Sequence, residues 1–260
     1  MVVTKGVPVL MYHSVRERPP RETAGLAVSP GAFADQMALL HERGFTPVPF
    51  SALRADVPKP IVITFDDGYA DFHSEALPVL ERFGFTATVF VTTGWLADAG
   101  REAAGRPLDA MLTWGQVREA AAHGIEIGGH SHGHPQLDQL RDRALTDELV
   151  RSRGLLEDRL GAPATTMAYP FGYSSARVRR AVRDAGYESA CAVANRLAPG
   201  GDPLAVPRLT VRASTSLAAF GRVADGTRLS QIYFRDRALT RGYAVVRRTR
   251  YGLRRVSGRD

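Results

Sequence analysis

One pattern recurs four times along this chain and limits what it can fold into. A helical stretch ends in glycine, an aromatic or β-branched residue follows, and a short apolar run begins. It reads His41-Glu-Arg-Gly44-Phe, Glu81-Arg-Phe-Gly84-Phe, Ala121-Ala-His-Gly124-Ile and Arg183-Asp-Ala-Gly186-Tyr. Glycine just past a helix closes the last turn in the left-handed conformation without a Cβ clash. Helix starts are visible too. Ser29-Pro30 is a cap followed by proline at the first helical position, and Ser174-Ser175 precedes a helical run. Thr146 before Asp147 and Glu148 suits a helix N-terminus.

The apolar runs are Val7–Tyr12, Ile61–Phe65, Thr86–Val91, Ile125–Gly128, Thr166–Tyr169, Ala190–Val193 and Leu209–Val211. Continuous apolar strands separated by helices indicate a parallel sheet covered on its outside. About seven strands with six helices predict an α/β fold, a distorted or incomplete (β/α) barrel. An open doubly wound sheet is disfavoured, because no glycine-rich phosphate fingerprint follows any strand. A chain of 260 residues suits one such barrel.

The charge is not spread over that barrel. Nine arginines and two aspartates between Arg235 and Asp260 carry all of the formal +7, so the rest is neutral. Two regions are therefore expected, a folded domain over 1–234 and a basic tail over 235–260. The pI near 10 reports the tail, and reading the chain as a nucleic-acid binder would be a mistake of averaging. Tyr243, Val245, Val246, Tyr251 and Leu253 lie between the arginines. Basic and apolar residues together suit an anionic membrane surface; a solvated extension is the other reading. The N-terminus has Lys5, Gly6 and Pro8 where a signal peptide needs an unbroken apolar stretch. The expectation is a cytoplasmic protein, peripheral at the membrane through its tail, unless an export segment has been removed. Cys191 is the single cysteine, so an internal disulfide and a cysteine-built zinc site are excluded. In its apolar run it reads as a buried small hydrophobe.

In a parallel barrel the reactive groups sit at the C-terminal ends of strands. Here those ends carry Tyr12-His13, Asp66-Asp67-Gly68, His130-Ser-His132-Gly-His134 and Tyr169-Pro-Phe171-Gly172. Four of the seven histidines and a carboxylate pair thus gather at one rim, while His41, His73 and His123 read as surface or structural. Adjacent residues leaving a strand point to different sides. One aspartate can then bind a metal while its neighbour faces a water as base. Asp-Asp-Gly is also turn chemistry, and residues alone leave both readings open. Two histidines plus one carboxylate make a zinc-type ligand set with positions open for water and substrate. His132 is a rival ligand, and an adventitious metal-binding loop is the bland alternative.

These residues resemble the polysaccharide deacetylases of carbohydrate esterase family four, with the chitooligosaccharide deacetylase homology domain. Thr64-Phe-Asp-Asp-Gly68 is similar to that family's first motif and His130-Ser-x-x-His134 to its second. Tyr169-Pro-Phe-Gly172 is similar to the end of its third. Val7-Pro-Val-Leu-Met-Tyr-His13 resembles the branch that includes poly-N-acetylglucosamine deacetylases. The resemblance covers roughly residues 7–212. It implies Asp66 as general base, and Asp67, His130 and His134 as ligands of a divalent metal. Zinc is favoured, although manganese, iron or cobalt suit the same set. It also implies an oxyanion-stabilising amide near Phe171. The family's C-terminal histidine motif is absent, since no histidine follows His134; the resembling branch points to His13 as general acid. The family's third-motif arginine is Ala168 here, and Arg208 is the candidate to replace it. Trp95, Trp114, Tyr169 and Phe171 are aromatic candidates for contact with a sugar ring. The implied reaction removes an N-acetyl group from an amino sugar of a glycan or glycoconjugate and releases acetate. Two other classes stay open: a metal-dependent amidohydrolase on a small non-sugar amide, and a non-catalytic binding or assembly module.

Overall fold

The computed structural model describes residues 6–198 and 200–237. Its strands are β1 (Val9–Tyr12), β2 (Thr46–Pro47), β3 (Pro60–Phe65), β4 (Thr88–Val91), β5 (Glu126–Gly129), β6 (Thr166–Ala168), β7 (Ser189–Val193) and β8 (Val206–Thr210). Strand β1 pairs in parallel with both β3 and β8 and so closes a ring of seven, β1-β8-β7-β6-β5-β4-β3. The two-residue β2 hangs on β3 outside that ring. The expected distorted (β/α) barrel of seven parallel strands is what forms.

The helices are α1 (Pro30–Glu42), α2 (Leu77–Arg82), α3 (Trp114–Ala122), α4 (Asp142–Leu160), α5 (Ala176–Asp184), α6 (Leu217–Ala224) and α7 (Leu229–Ile232). Gly44, Gly84, Gly124 and Gly186 follow α1, α2, α3 and α5 with φ of 67°, 63°, 80° and 93°. The recurrent glycine is therefore the left-handed residue that ends each helix and aims the chain at its strand. Ser29 and Ser175 cap α1 and α5 by accepting from the amides of Ala32 and Val178.

Successive side chains of a strand point to opposite faces, and the core divides accordingly. Val9, Val62, Phe90, Ala168, Cys191 and Val206 share one cluster inside the ring. Leu10, Tyr12, Ile61, Ile63 and Phe65 pack outward against the helices. There the Phe65 ring lies 5.3 Å from Tyr12, 5.7 Å from Phe33 and 4.9 Å from Phe72. The ring is thinnest between β5 and β6, which share one register pair, Gly129↔Met167. A Cβ on Gly128 would lie 2.7 Å from the Phe90 ring and from Thr166 Oγ1, so only glycine lets the wall close around that phenylalanine.

Two local expectations differ from what forms, and one short strand, β2, was not expected. Helix α4 begins at Asp142, one turn before Thr146, because Leu145, Leu149, Ser152 and Leu156 make a continuous buried face. Strand β8 starts at Val206, ahead of the expected Leu209; Pro207 masks it, since proline weakens any strand reading. The short β2 carries too few residues for a periodicity. Beyond β8, Tyr233 donates to the Thr210 carbonyl (2.8 Å) and Arg212 pairs with Asp236 (2.9 Å). The basic tail lies outside the described residues from residue 238 onward. Among the described residues no helix is long and apolar enough to cross a membrane.

Candidate active site

Strand β3 delivers the aspartate pair. Asp66 keeps the inward parity of Val62 and Thr64 and meets Arg208 from β8. The guanidinium donates to both carboxylate oxygens, Nη1 to Oδ1 at 2.5 Å and Nη2 to Oδ2 at 2.6 Å, and also to Thr64 Oγ1 at 3.2 Å. Arg208 has no exposed surface and lies 5.7 Å above the Phe90 ring. Burial alone would raise the Asp66 carboxyl; Arg208, with His130, overrides it and holds the group below the usual carboxylate range. Asp66 is thus a buried carboxylate biased toward its ionised form.

Asp67 turns the other way. Its φ is 73°, a left-handed conformation that costs a non-glycine residue roughly 1–3 kcal/mol, and Gly68 follows at 88°. Neighbouring loops hold the turn: Thr92 N donates to the Asp67 carbonyl (3.1 Å) and Leu112 N to that of Gly68 (2.9 Å).

The two histidines come from the loop after β5. His130 Nδ1 lies 2.8 Å from the Ala168 carbonyl, which can only accept. Nδ1 therefore carries a proton, and Nε2 is the nitrogen turned toward Asp67. His134 packs between aromatic rings, 4.6 Å from Trp95 and 4.9 Å from Phe171. Ser131 and His134 both have positive φ, 63° and 61°, so this loop also stores strain.

Nε2 of His130 and of His134 lie 3.3 and 3.2 Å from Asp67 Oδ1. That oxygen is buried and makes no hydrogen bond. One atom from each residue falls within a 4.8 Å cluster. A buried carboxylate oxygen without a donor, facing two imidazole nitrogens, fits a divalent cation. His132 is not among the three; its Nδ1 turns to Thr93 Oγ1 at 2.9 Å.

His13, at the end of β1, places Nε2 3.9 Å from Asp66 Oδ2. Burial lowers its imidazole below the ordinary value, with the Asp66 charge opposing. Phe171 is half exposed, at 51%, with φ of 61° beside His134. Tyr169 corrects an expectation: its ring is fully buried among Leu145, Leu149, Val178 and Val182, and its hydroxyl donates to the Leu204 carbonyl. Trp114 is likewise core, packed in the helix-side cluster. Neither ring is available to a sugar.

Two neighbours of the site escaped sequence reasoning. Tyr69 packs with Trp95 and Met111, and burial together with the Asp67 charge keeps its phenol protonated. Its position just past Asp-Asp-Gly was the only signal. Glu148 of α4 accepts from the amides of His132 and Gly133. Its helix-start reading concealed that.

A family model described as polysaccharide deacetylase matches residues 54–190. The Bacillus subtilis (strain 168) protein YxkH is 30% identical over 189 residues, 70% of this chain and 62% of that protein. The Escherichia coli (strain K12) poly-beta-1,6-N-acetyl-D-glucosamine N-deacetylase is 30% identical over 141 residues, 48% of this chain and 20% of that protein. The chain thus spans less than two thirds of the length of either relative. Among solved structures, the Streptococcus pyogenes deacetylase PplD in complex with acetate aligns with a TM-score of 0.75 at 25% identity. That match covers 84% of this chain and 98% of that one.

Proposed function

The chain belongs to the polysaccharide deacetylase family, and we propose on that premise that it hydrolyses the N-acetyl group of an amino sugar within a glycan or glycoconjugate. The observation that carries this reading is one buried carboxylate, Asp66, held by Arg208 and next in sequence to the cluster of Asp67, His130 and His134. Asp67, His130 and His134 would hold a divalent metal, with zinc favoured by the donor set. When bound, that ion supplies Lewis acidity toward a water and the acetyl carbonyl.

The chain's own groups do the rest. Arg208 aligns Asp66 and keeps it ionised. Asp66 takes the proton of the attacking water. His13 gives a proton to the departing nitrogen, because an amine leaves poorly as an anion. The Phe171 amide is the donor assigned to the developing oxyanion. The exposed Phe171 ring offers an apolar face to a sugar beside His134. Products are acetate and a free amino sugar.

The Escherichia coli relative's name makes β-1,6-linked N-acetylglucosamine oligomers the first substrates to test. The basic tail would hold the enzyme at an anionic membrane surface near a lipid-linked substrate, a role its charge supports. Acetate release from β-1,6 and β-1,4 oligomers and from small non-sugar acetamides tests the reading. Oligomers should be hydrolysed and the small amides left intact. Turnover of the amides alone would assign a different amidohydrolase, and no turnover with a bound metal would leave a binding module.

A further inference from the structure

The loop from His130 to His134 is held in a conformation its residues would not adopt alone. Ser131 and His134 sit at φ of 63° and 61°. Its inner edge is tied to the loop after β4, where Thr93 N donates to the Ser131 carbonyl (3.3 Å) and Gly94 N to that of His132 (2.8 Å). Within the loop Ser131 Oγ accepts from His134 N at 3.0 Å, and from outside it the outer edge is tied by one side chain. Oε2 of Glu148, reaching from the second turn of α4, accepts from His132 N at 2.9 Å and from Gly133 N at 2.8 Å. These are the two amides immediately before His134. A Cβ on Gly133 would lie 3.1 Å from Glu148 Oε1, so glycine makes room for the approach. Arg151, one turn further along α4, is engaged by Glu102 at 2.6 Å.

We propose that Glu148 is a positioning residue for the metal ligand His134: its carboxylate clamps two consecutive amides and so holds His134 Nε2 toward Asp67. The inference rests on the reading of Asp67, His130 and His134 as metal ligands. Without an acceptor the two partly buried amides need new partners. The loop then relaxes from its left-handed residues, and His134 moves away from Asp67. Outer partners of this kind typically govern metal affinity by about 10–100-fold.

Reach and charge can be separated. Glu148→Gln keeps an oxygen at the same distance and removes the charge. Glu148→Asp keeps the charge and withdraws the oxygen by one methylene. Zn²⁺ affinity is measured on the metal-stripped full chain by competition with a chromophoric chelator. Thermal unfolding of each stripped protein is recorded alongside. Glu148→Asp and Glu148→Ala should lose about 10–100-fold in affinity, and Glu148→Gln should stay within about threefold of wild type, with the stripped proteins melting alike. Wild-type affinity in Glu148→Ala and Glu148→Asp would overturn the clamp. So would retention in Glu148→Asp with loss in Glu148→Gln, which marks a charge effect. Affinity losses that track lower melting temperatures would mark a merely structural residue and also overturn it. If wild type itself binds no Zn²⁺, the metal reading fails instead, and the two failures stay distinct.

Discussion

Asp67, His130 and His134 leave the ends of β3 and β5, and all lie inside residues 54–190, the stretch the family model matches. His13 follows β1 and Arg208 lies within β8, two ring strands outside that stretch, which meet to close the ring. The first region is held by local backbone: left-handed residues at Asp67, Ser131 and His134, the first two with carbonyls bound by amides of the loop after β4 and the third with its own amide donating to Ser131 Oγ. The second depends on a long-range event, because Arg208 reaches Asp66 across 142 residues of chain only once the barrel has closed. Asp66 stands between them. Its peptide neighbour faces the cation site, while its own side chain belongs to the seam. On the proposed function the contrast separates cation binding from proton handling, and Asp66→Asn, Arg208→Met and His13→Ala should strike the second without the first.

The largest loss should come from Asp66→Asn. The amide keeps an acceptor for Arg208 yet cannot take a proton, so kcat for acetate release should fall about 10²–10⁴-fold. Substrate KM should change little. Near-wild-type turnover would place the base elsewhere.

Arg208→Met should follow. It leaves the Asp66 charge buried without a partner, which typically costs about 3–5 kcal/mol of stability in denaturant unfolding. The pH sign can be worked out. Arg208 holds Asp66 below its unfolded value, so the pair's stabilisation is present above pH ~4 and is lost as pH falls through the folded value. Without the guanidinium, burial dominates and the carboxyl rises, so the acid limb of kcat/KM should move to higher pH. An unmoved acid limb would detach Arg208 from the base.

His13→Ala tests the other side of the seam. Its imidazole is lowered, so the protonated form is lost as pH rises through a value below ~6.5. The alkaline limb of wild type should lie on the acid side of an ordinary histidine and vanish in the variant. Amides should lose more than activated esters, whose leaving groups need no proton. Equal losses would make His13 structural.

The smallest effect concerns the tail. Full-length protein should sediment with anionic but not neutral vesicles, less so in salt, since each basic residue near such a surface is worth about 1 kcal/mol. Truncation after Phe234 should remove binding and spare acetate release from a soluble oligomer. Equal binding by both forms would take the tail out of the account.

Much of this organisation is readable in the residues. The four glycine stops and seven apolar runs carry the ring, because capping and burial act over a few residues. Strand-end placement brought Asp66, Asp67, His130, His134 and His13 to one rim for the same reason. Arg208 was nameable through the absence of an arginine at Ala168, yet its bidentate geometry is a consequence of closure. Tyr169 shows a clue that could have been used. Ala168 faces inward, so strand parity turns Tyr169 outward into the helix layer. Glu148 was illegible because its partners are backbone amides, and these leave no mark on residue type. The early start of α4 and the masking of β8 by Pro207 are likewise settled by packing.

Metal stoichiometry of four purified proteins tests the division of labour most directly: wild type, Asp66→Asn, His13→Ala and the double variant His130→Ala/His134→Ala. Elemental analysis should find one divalent ion per chain in the first three and none in the double variant, with the fold retained throughout by circular dichroism. Loss of the ion from Asp66→Asn or His13→Ala, or its retention in the double variant, would contradict the account.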